Sequence, residues 1–207
     1  MPVDSVSERP FRSPATDTDV AHRLMVALAE AIKECGYKSA TVADVVRIAK
    51  MSRRAFYAHF TGKEDCYIAL MTLMNNQLIE RIGEAVDGSA PWRVQVRQAI
   101  DGWLRASQSE PTISLSWIRD APALGAAARG LQQRSMEAFI GLVHTLVDTP
   151  QVRAEGLAPP SRAKAIVLIG GLRELIATQV ENGRAVTEIG DEAVSITMAI
   201  LTASNAR

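Results

Sequence analysis

From Asp17 onward the apolar residues of this chain recur every three or four positions, and no stretch alternates apolar and polar as a half-buried strand would. That period predicts an all-α protein, and the helix breakers divide it into nine segments. The first helix is expected to start near Asp17 and stop at Gly36, with Leu24, Ala27, Leu28, Ala31 and Ile32 on one face. Thr41 opens the second, with Asp44 three residues on in capping-box position and Val42, Val45, Val46 and Ala49 facing inward. Lys50-Met51 turns the chain, and Ser52 caps a third helix from Arg53 to about Phe60. Thr61-Gly62 breaks it again. A long fourth helix runs from Lys63 to about Val86, with Glu64 and Asp65 in the first turn, where the helix dipole favours acids. Pro91 and Glu110-Pro111 bracket the fifth helix. The sixth covers Thr112 to Arg119, and the seventh runs from Ala121-Pro122 to about Val147. Residues 148–160 read as a loop. The eighth helix spans Ser161 to Glu181, stopped by Asn182-Gly183, and the ninth runs from near Ile189 to near Ser204. Residues 1–16, polar and carrying three prolines, read as a flexible arm, residues 17–62 as a small three-helix unit, and 63–207 as a helical body.

Composition narrows the function classes. A chain of 207 residues that is 47% hydrophobic can bury a sizeable core. Cys35 and Cys66 are isolated thiols, which suits a reducing compartment and argues against a disulfide scaffold. The N-terminal stretch lacks the apolar run of a signal peptide. The longest apolar stretch, Ala165 to Leu172, is far short of the roughly 20 residues that span a bilayer. A cytoplasmic protein without membrane contact is therefore expected. His22 and His144 have no partner at ligand spacing, so no metal or cofactor is expected. With no nucleophile elbow, glycine-rich phosphate loop or paired carboxylates, neither is catalysis.

The formal net charge is zero, yet residues 47–65 hold Arg47, Lys50, Arg53, Arg54 and Lys63 with no acid before Glu64. Helix, tight turn, helix is the shape of residues 41–60. In a helix-turn-helix the second helix enters the major groove with its first residues at base edges. Arg53 and Arg54 occupy those positions, and an arginine paired to guanine is the commonest specific base contact. Ser52, Tyr57, His59 and Lys63 are placed to hold phosphates, and Thr41, which caps the first helix of the pair, is grouped with them as a DNA-binding residue.

The run TVADVVRIAKMSRRAFYAHFTGKED resembles the DNA-binding segment of the TetR (tetracycline-repressor) family of bacterial regulators. The matching features are Thr41, Ser52, Phe56-Tyr57-Ala58-His59-Phe60 and Lys63-Glu64, within about 45 residues. Two positions depart from the family pattern: Lys50 stands where a turn glycine is usual, and Val46 where a small residue is usual. A left-handed residue at Lys50 would cost about 1 kcal/mol relative to glycine.

The last two helices are apolar on most faces, which calls for burial on most faces. A four-helix interface between two copies does this, and the resemblance implies the same. Ile169, Leu172, Ile176 and Val180 of the eighth helix and Ile196 and Ile200 of the ninth are the expected interface residues. A two-fold dimer would read a palindrome-like operator in double-stranded DNA. Trp103, Trp117, Met136, Phe139 and His144 are the expected lining of a cavity for a small apolar or weakly polar ligand. Arg119-Asp120 and Arg173-Glu174 are polar anchors or interface pairs. The expected function is a ligand-responsive repressor. The alternatives are a DNA-binding regulator without a small effector, and an all-α carrier or enzyme whose basic helix holds a phosphorylated metabolite.

Overall fold

The computed structural model describes residues 17–149, 152–153, 155 and 158–203, so the expected N-terminal arm lies outside the described residues. Among these there are nine α-helices and no strand: α1 (Asp17–Ser39), α2 (Val42–Ala49), α3 (Arg53–His59), α4 (Lys63–Ala85), α5 (Trp92–Ser109), α6 (Pro111–Arg119), α7 (Gly125–Val147), α8 (Arg162–Glu181) and α9 (Gly190–Thr202). No described helix is long and apolar enough to cross a membrane.

The predicted punctuation is where the chain bends. Gly36, expected to end the first helix, sits at φ 79°, ψ 158°, and helical bonding resumes briefly to Ser39. Thr41 closes a full capping box on α2. Its hydroxyl accepts from the Asp44 amide at 3.2 Å, and the Asp44 carboxylate accepts from the Thr41 amide at 3.1 Å. The start expected for the seventh helix is instead a separate 3₁₀ turn, Ala121–Leu124, divided from α7 by Gly125 at φ 75°. A second 3₁₀ turn, Val186–Ile189, leads into α9.

Three apolar clusters fill the interior. The first gathers Leu24, Leu28 and Ile32 of α1, Val45 of α2, Phe56 of α3, and Cys66, Tyr67 and Leu70 of α4. It also takes in Ile113 of α6, Ala121 and Leu131. The second lies among α4, α5, α7, α8 and α9, with Trp103, Phe139, Ile169, Leu172 and Ile176 at its heart. The third, smaller, joins Trp92, Val147, Val152 and Leu201.

This packing corrects the expected dimer face. Ile169, Leu172 and Ile176 are 1%, 4% and 1% exposed and belong to the protomer's own core. Val180 and Ile200 are half-buried against the same cluster, and of the six only Ile196 is exposed. The apolar residues that α8 leaves open lie one position round the helix: Ile166 and Val167, with Gly170 and Gly171 continuing the stripe. Space beside both glycines is free, since a methyl group added there would meet nothing within 4 Å.

Candidate nucleic-acid interface and ligand cavity

The short helix α3 is held by its apolar side. Phe56 is fully buried and Phe60 nearly so, and their rings lie 5.7 Å apart. Ser52 caps its start by accepting from the Ala55 amide at 3.1 Å. With Phe56 and Phe60 turned in, Arg53, Arg54 and Tyr57 turn out, and Tyr57 is 58% exposed. His59 is half-exposed at the far end of the helix.

The preceding turn closes on Lys50 at φ 53°, ψ 46°, the only non-glycine residue with positive φ among those described. The Met51 amide donates to the Val46 carbonyl at 2.9 Å and the Lys50 amide to Arg47 at 3.2 Å. This pair of bonds is the Schellman arrangement that normally uses glycine. The substituted turn residue thus adopts the backbone that glycine would, and both helices of the pair remain in register.

The five basic residues do different work. Arg47 is paired with Glu34 at 3.2 Å and Asp44 at 3.5 Å. The hydrogen bonds from Thr41, with help from Arg47, hold the Asp44 carboxyl below the usual carboxylate range. The Lys63 ammonium is turned inward. It donates to the carbonyls of Tyr37 (2.8 Å), Ala40 (2.8 Å) and Lys38 (3.3 Å) and lies 4.4 Å from the Tyr37 ring centre. Lys63 thereby clasps the end of α1 to the start of α4, a role its position in the motif did not disclose. Arg47 is exposed as well as paired; Arg53 and Arg54, together with Lys50, are exposed, and among the described residues neither Arg53 nor Arg54 is in an ion pair. Arg23 of α1 donates to the Ala49 carbonyl at 2.9 Å and secures the end of α2. Nothing in its spacing signals this, because its target is a backbone group 26 residues away.

The body holds two spaces on either side of the stacked pair Trp103 and Phe139, whose ring centres are 4.9 Å apart. One is a narrow apolar channel of about 80 Å³ between α5, α7, α8 and α9. The other, about 450 Å³, lies among α4, α5, α6, α7 and α8 and is lined by Trp103, Trp117 and Phe139 together with Asn75, Ser107 and Arg173. Three of the five expected lining residues meet here. Met136 packs into the second apolar cluster, and His144 shares a 3.0 Å hydrogen bond with the Pro160 carbonyl; neither lines these spaces.

The two arginine–acid pairs noted in the sequence part company. Arg119 of α6 reaches across to α8, bonding Glu174 at 2.7 and 2.8 Å and Glu181 at 2.6 and 3.0 Å. These bonds hold both carboxyls below their ordinary range. Arg173 instead turns into the cavity, where its guanidinium stands 5.4 Å from the Trp117 ring centre.

An exposed arginine-bearing helix on a rigid three-helix head, joined to a helical body with an internal cavity, defines a DNA-binding transcriptional regulator. Residues 24–70 match the family of bacterial regulatory proteins called the tetR family. The helix-turn-helix segment is therefore that of the tetR family, as the motif implied.

Solved structures agree on the fold. The fatty acid degradation regulator FadR from Bacillus halodurans superposes with a TM-score of 0.76 at 14% identity, over 95% of this chain and 100% of that one. FadR from Bacillus subtilis in complex with stearoyl-CoA gives 0.70 at 17%, over 89% and 99%. A TetR-family regulator from Syntrophomonas wolfei gives 0.74 at 13%, over 92% and 99%. Among curated proteins, no sequence matches this chain.

Proposed function

We propose that this regulator binds a palindrome-like operator as a homodimer and is released by a small organic effector held in the body. The observation that carries the effector reading is a chain of contacts from cavity to head. Glu110, at the start of α6, lines the 450 Å³ cavity and is ion-paired with Lys33 of α1 at 2.7 Å. Ser116 of α6 shares a 3.1 Å hydrogen bond with the hydroxyl of Tyr67 on α4, whose ring lies tilted against that of Tyr37 of α1, centres 4.3 Å apart. Ile113 and Trp117 of α6 pack into the head's own apolar cluster. A ligand that moves α6 therefore moves α1 and α4 with it, and with them the spacing of two heads. A hundredfold loss of operator affinity requires about 2.7 kcal/mol of differential ligand binding between the two spacings.

Arg53 and Arg54 are the residues assigned to base edges. Ser52, Tyr57 and His59 are assigned to phosphates, while Thr41 and Lys63 hold the head in shape. The dimer face assigned here is the exposed stripe of Ile166, Val167, Gly170 and Gly171 on α8 beside Ile196 of α9. An apolar ligand body is supported by the aromatic lining, and by the stearoyl-CoA seen with the FadR of the same fold.

The test is selection of random duplex DNA on the full-length protein, followed by affinity measurements at several salt concentrations. A two-fold-symmetric site is expected, its affinity falling steeply with salt and about 10- to 100-fold weaker for Arg54→Ala. A protein that enriches no duplex, and binds DNA no better than its Arg54→Ala variant does, would refute the operator reading.

A further inference from the structure

We infer that the effector is an organic anion whose carboxylate is bound by Arg173, a refinement that rests on reading the 450 Å³ cavity as the effector site. The sequence alone suggests an apolar or weakly polar ligand, because the expected lining, Trp103, Trp117, Met136, Phe139 and His144, is mostly apolar. The cavity wall shows why that is incomplete. Arg173 sits in the middle of α8 with apolar neighbours on both flanks, is partly buried, and lines the space beside Trp117. Among the described residues it has no carboxylate partner.

The acids near it are engaged elsewhere. Its sequence neighbour Glu174 and Glu181 are both held by Arg119, and Glu110, the one acid lining this cavity, is held by Lys33. A partly buried guanidinium without a counter-charge is costly, and loss of water already pulls its pKa below the ordinary arginine value. The remaining polar groups of the lining are neutral amides and hydroxyls, Asn75, Gln77, Ser107 and Ser114 among them, plus Arg81, which is exposed.

An uncharged ligand would take away what water reaches Arg173 and leave the charge unpaired. A carboxylate supplies a planar two-oxygen partner matched to the guanidinium fork. The aromatic rings of Trp103, Trp117 and Phe139 then take the apolar body. The ligand class is a carboxylic acid with an aromatic or aliphatic tail.

The probes are matched pairs that differ in the head group: dodecanoate against dodecanol, and 4-phenylbutyrate against 4-phenylbutanol, with dodecanoyl-CoA as a third arm. Tryptophan fluorescence reads the binding, since Trp103 and Trp117 stand in the cavity wall. At least one acid is expected to bind about tenfold or more tightly than its alcohol, as a charge-assisted hydrogen-bonded pair provides. In Arg173→Met the acid should fall to the level of the alcohol while alcohol binding persists, which also shows that the variant folds. Should the variant bind neither, the acid–alcohol ratio of the native protein decides.

Equal binding of acid and alcohol, silence of both acids, an acid preference that survives Arg173→Met, or binding of the thioester without the free acid would overturn the inference. Operator affinity is measured on the same preparation. Operator binding without acid preference refutes the anion site alone. Acid preference without any release of DNA refutes the effector reading and leaves the anion site standing.

Discussion

Lys50 is a residue held in a conformation its side chain disfavours. Lys50→Gly should raise stability by up to about 1 kcal/mol, part of the gain being offset by the freer unfolded chain, and thermal melting should show a rise of about 2–4 °C. An unchanged or lower melting temperature would mean the left-handed turn stores no strain. Lys63 invites a sharper test, because the motif suggests a phosphate contact while its ammonium is occupied by three carbonyls. Lys63→Met should cost about 1–3 kcal/mol of stability, the penalty of stranding those carbonyls, and leave the salt slope of DNA binding unaltered. If the slope instead falls by about 1 with stability intact, Lys63 is a phosphate ligand. Cys66 is pushed up to about 12 by burial, so only Cys35, which is exposed, should react with a thiol reagent in the folded protein at neutral pH.

Helix α6 is the element on which the cavity, the head and α8 converge. Its fork from Arg119 to Glu174 and Glu181 gives the protein a pH dependence with a definite sign. Both carboxyls titrate lower in the folded state than in the unfolded chain, so the contribution of the fork is complete at neutral pH. It is lost as pH falls below their ordinary value near 4.5 and through the folded one. The difference in melting temperature between the native protein and Arg119→Met should therefore narrow in acid; a difference that grows there would contradict the assignment. The Lys33–Glu110 pair is about one-third exposed on each side and contributes at most about 1 kcal/mol to stability. Lys33→Met should accordingly melt almost normally but respond less to ligand in a DNA-release assay.

Elements of this kind are also where sequence reading succeeds and fails for visible reasons. Pro91, Pro111 and Gly183 fix helix limits through local chemistry, so the order of the nine helices is legible, while Gly36 only kinks α1 and the start of α7 is displaced by a 3₁₀ turn. Phe56 and Phe60 fix the rotation of α3, so its outward arginines were legible too. Helix α8 has no such marker: apolar nearly all round, it can be turned by one residue without changing its pattern. Hence the pattern allows Ile169, Leu172 and Ile176 to face a partner, and the fold turns them inward. Arg173 and Glu174, adjacent in sequence, point about 100° apart on a helix, and only the three-dimensional arrangement separates cavity from surface.

At the scale of the whole molecule, the proposed function calls for two copies. The exposed Val167, at 65%, stands at the centre of the stripe where they are proposed to meet. Val167→Glu should yield monomers in sedimentation, with operator affinity reduced on the order of 100-fold because the second half-site no longer binds as part of the same body. Dimers of undiminished affinity would place the interface elsewhere. The division of the chain at residue 62 is a boundary in connectivity but not in packing. The apolar cluster that seats Phe56 and Phe60 also contains Tyr67, Leu70, Ile113, Ala121 and Leu131. A head grafted onto another body at that point would arrive with its floor missing. Recombination between such regulators can exchange DNA specificity cleanly only when the crossover carries the first turns of α4 and a compatible α6. New pairings of signal and target in proteins built this way therefore arise more readily by substitution on the surface of α3 than by the shuffling of domains.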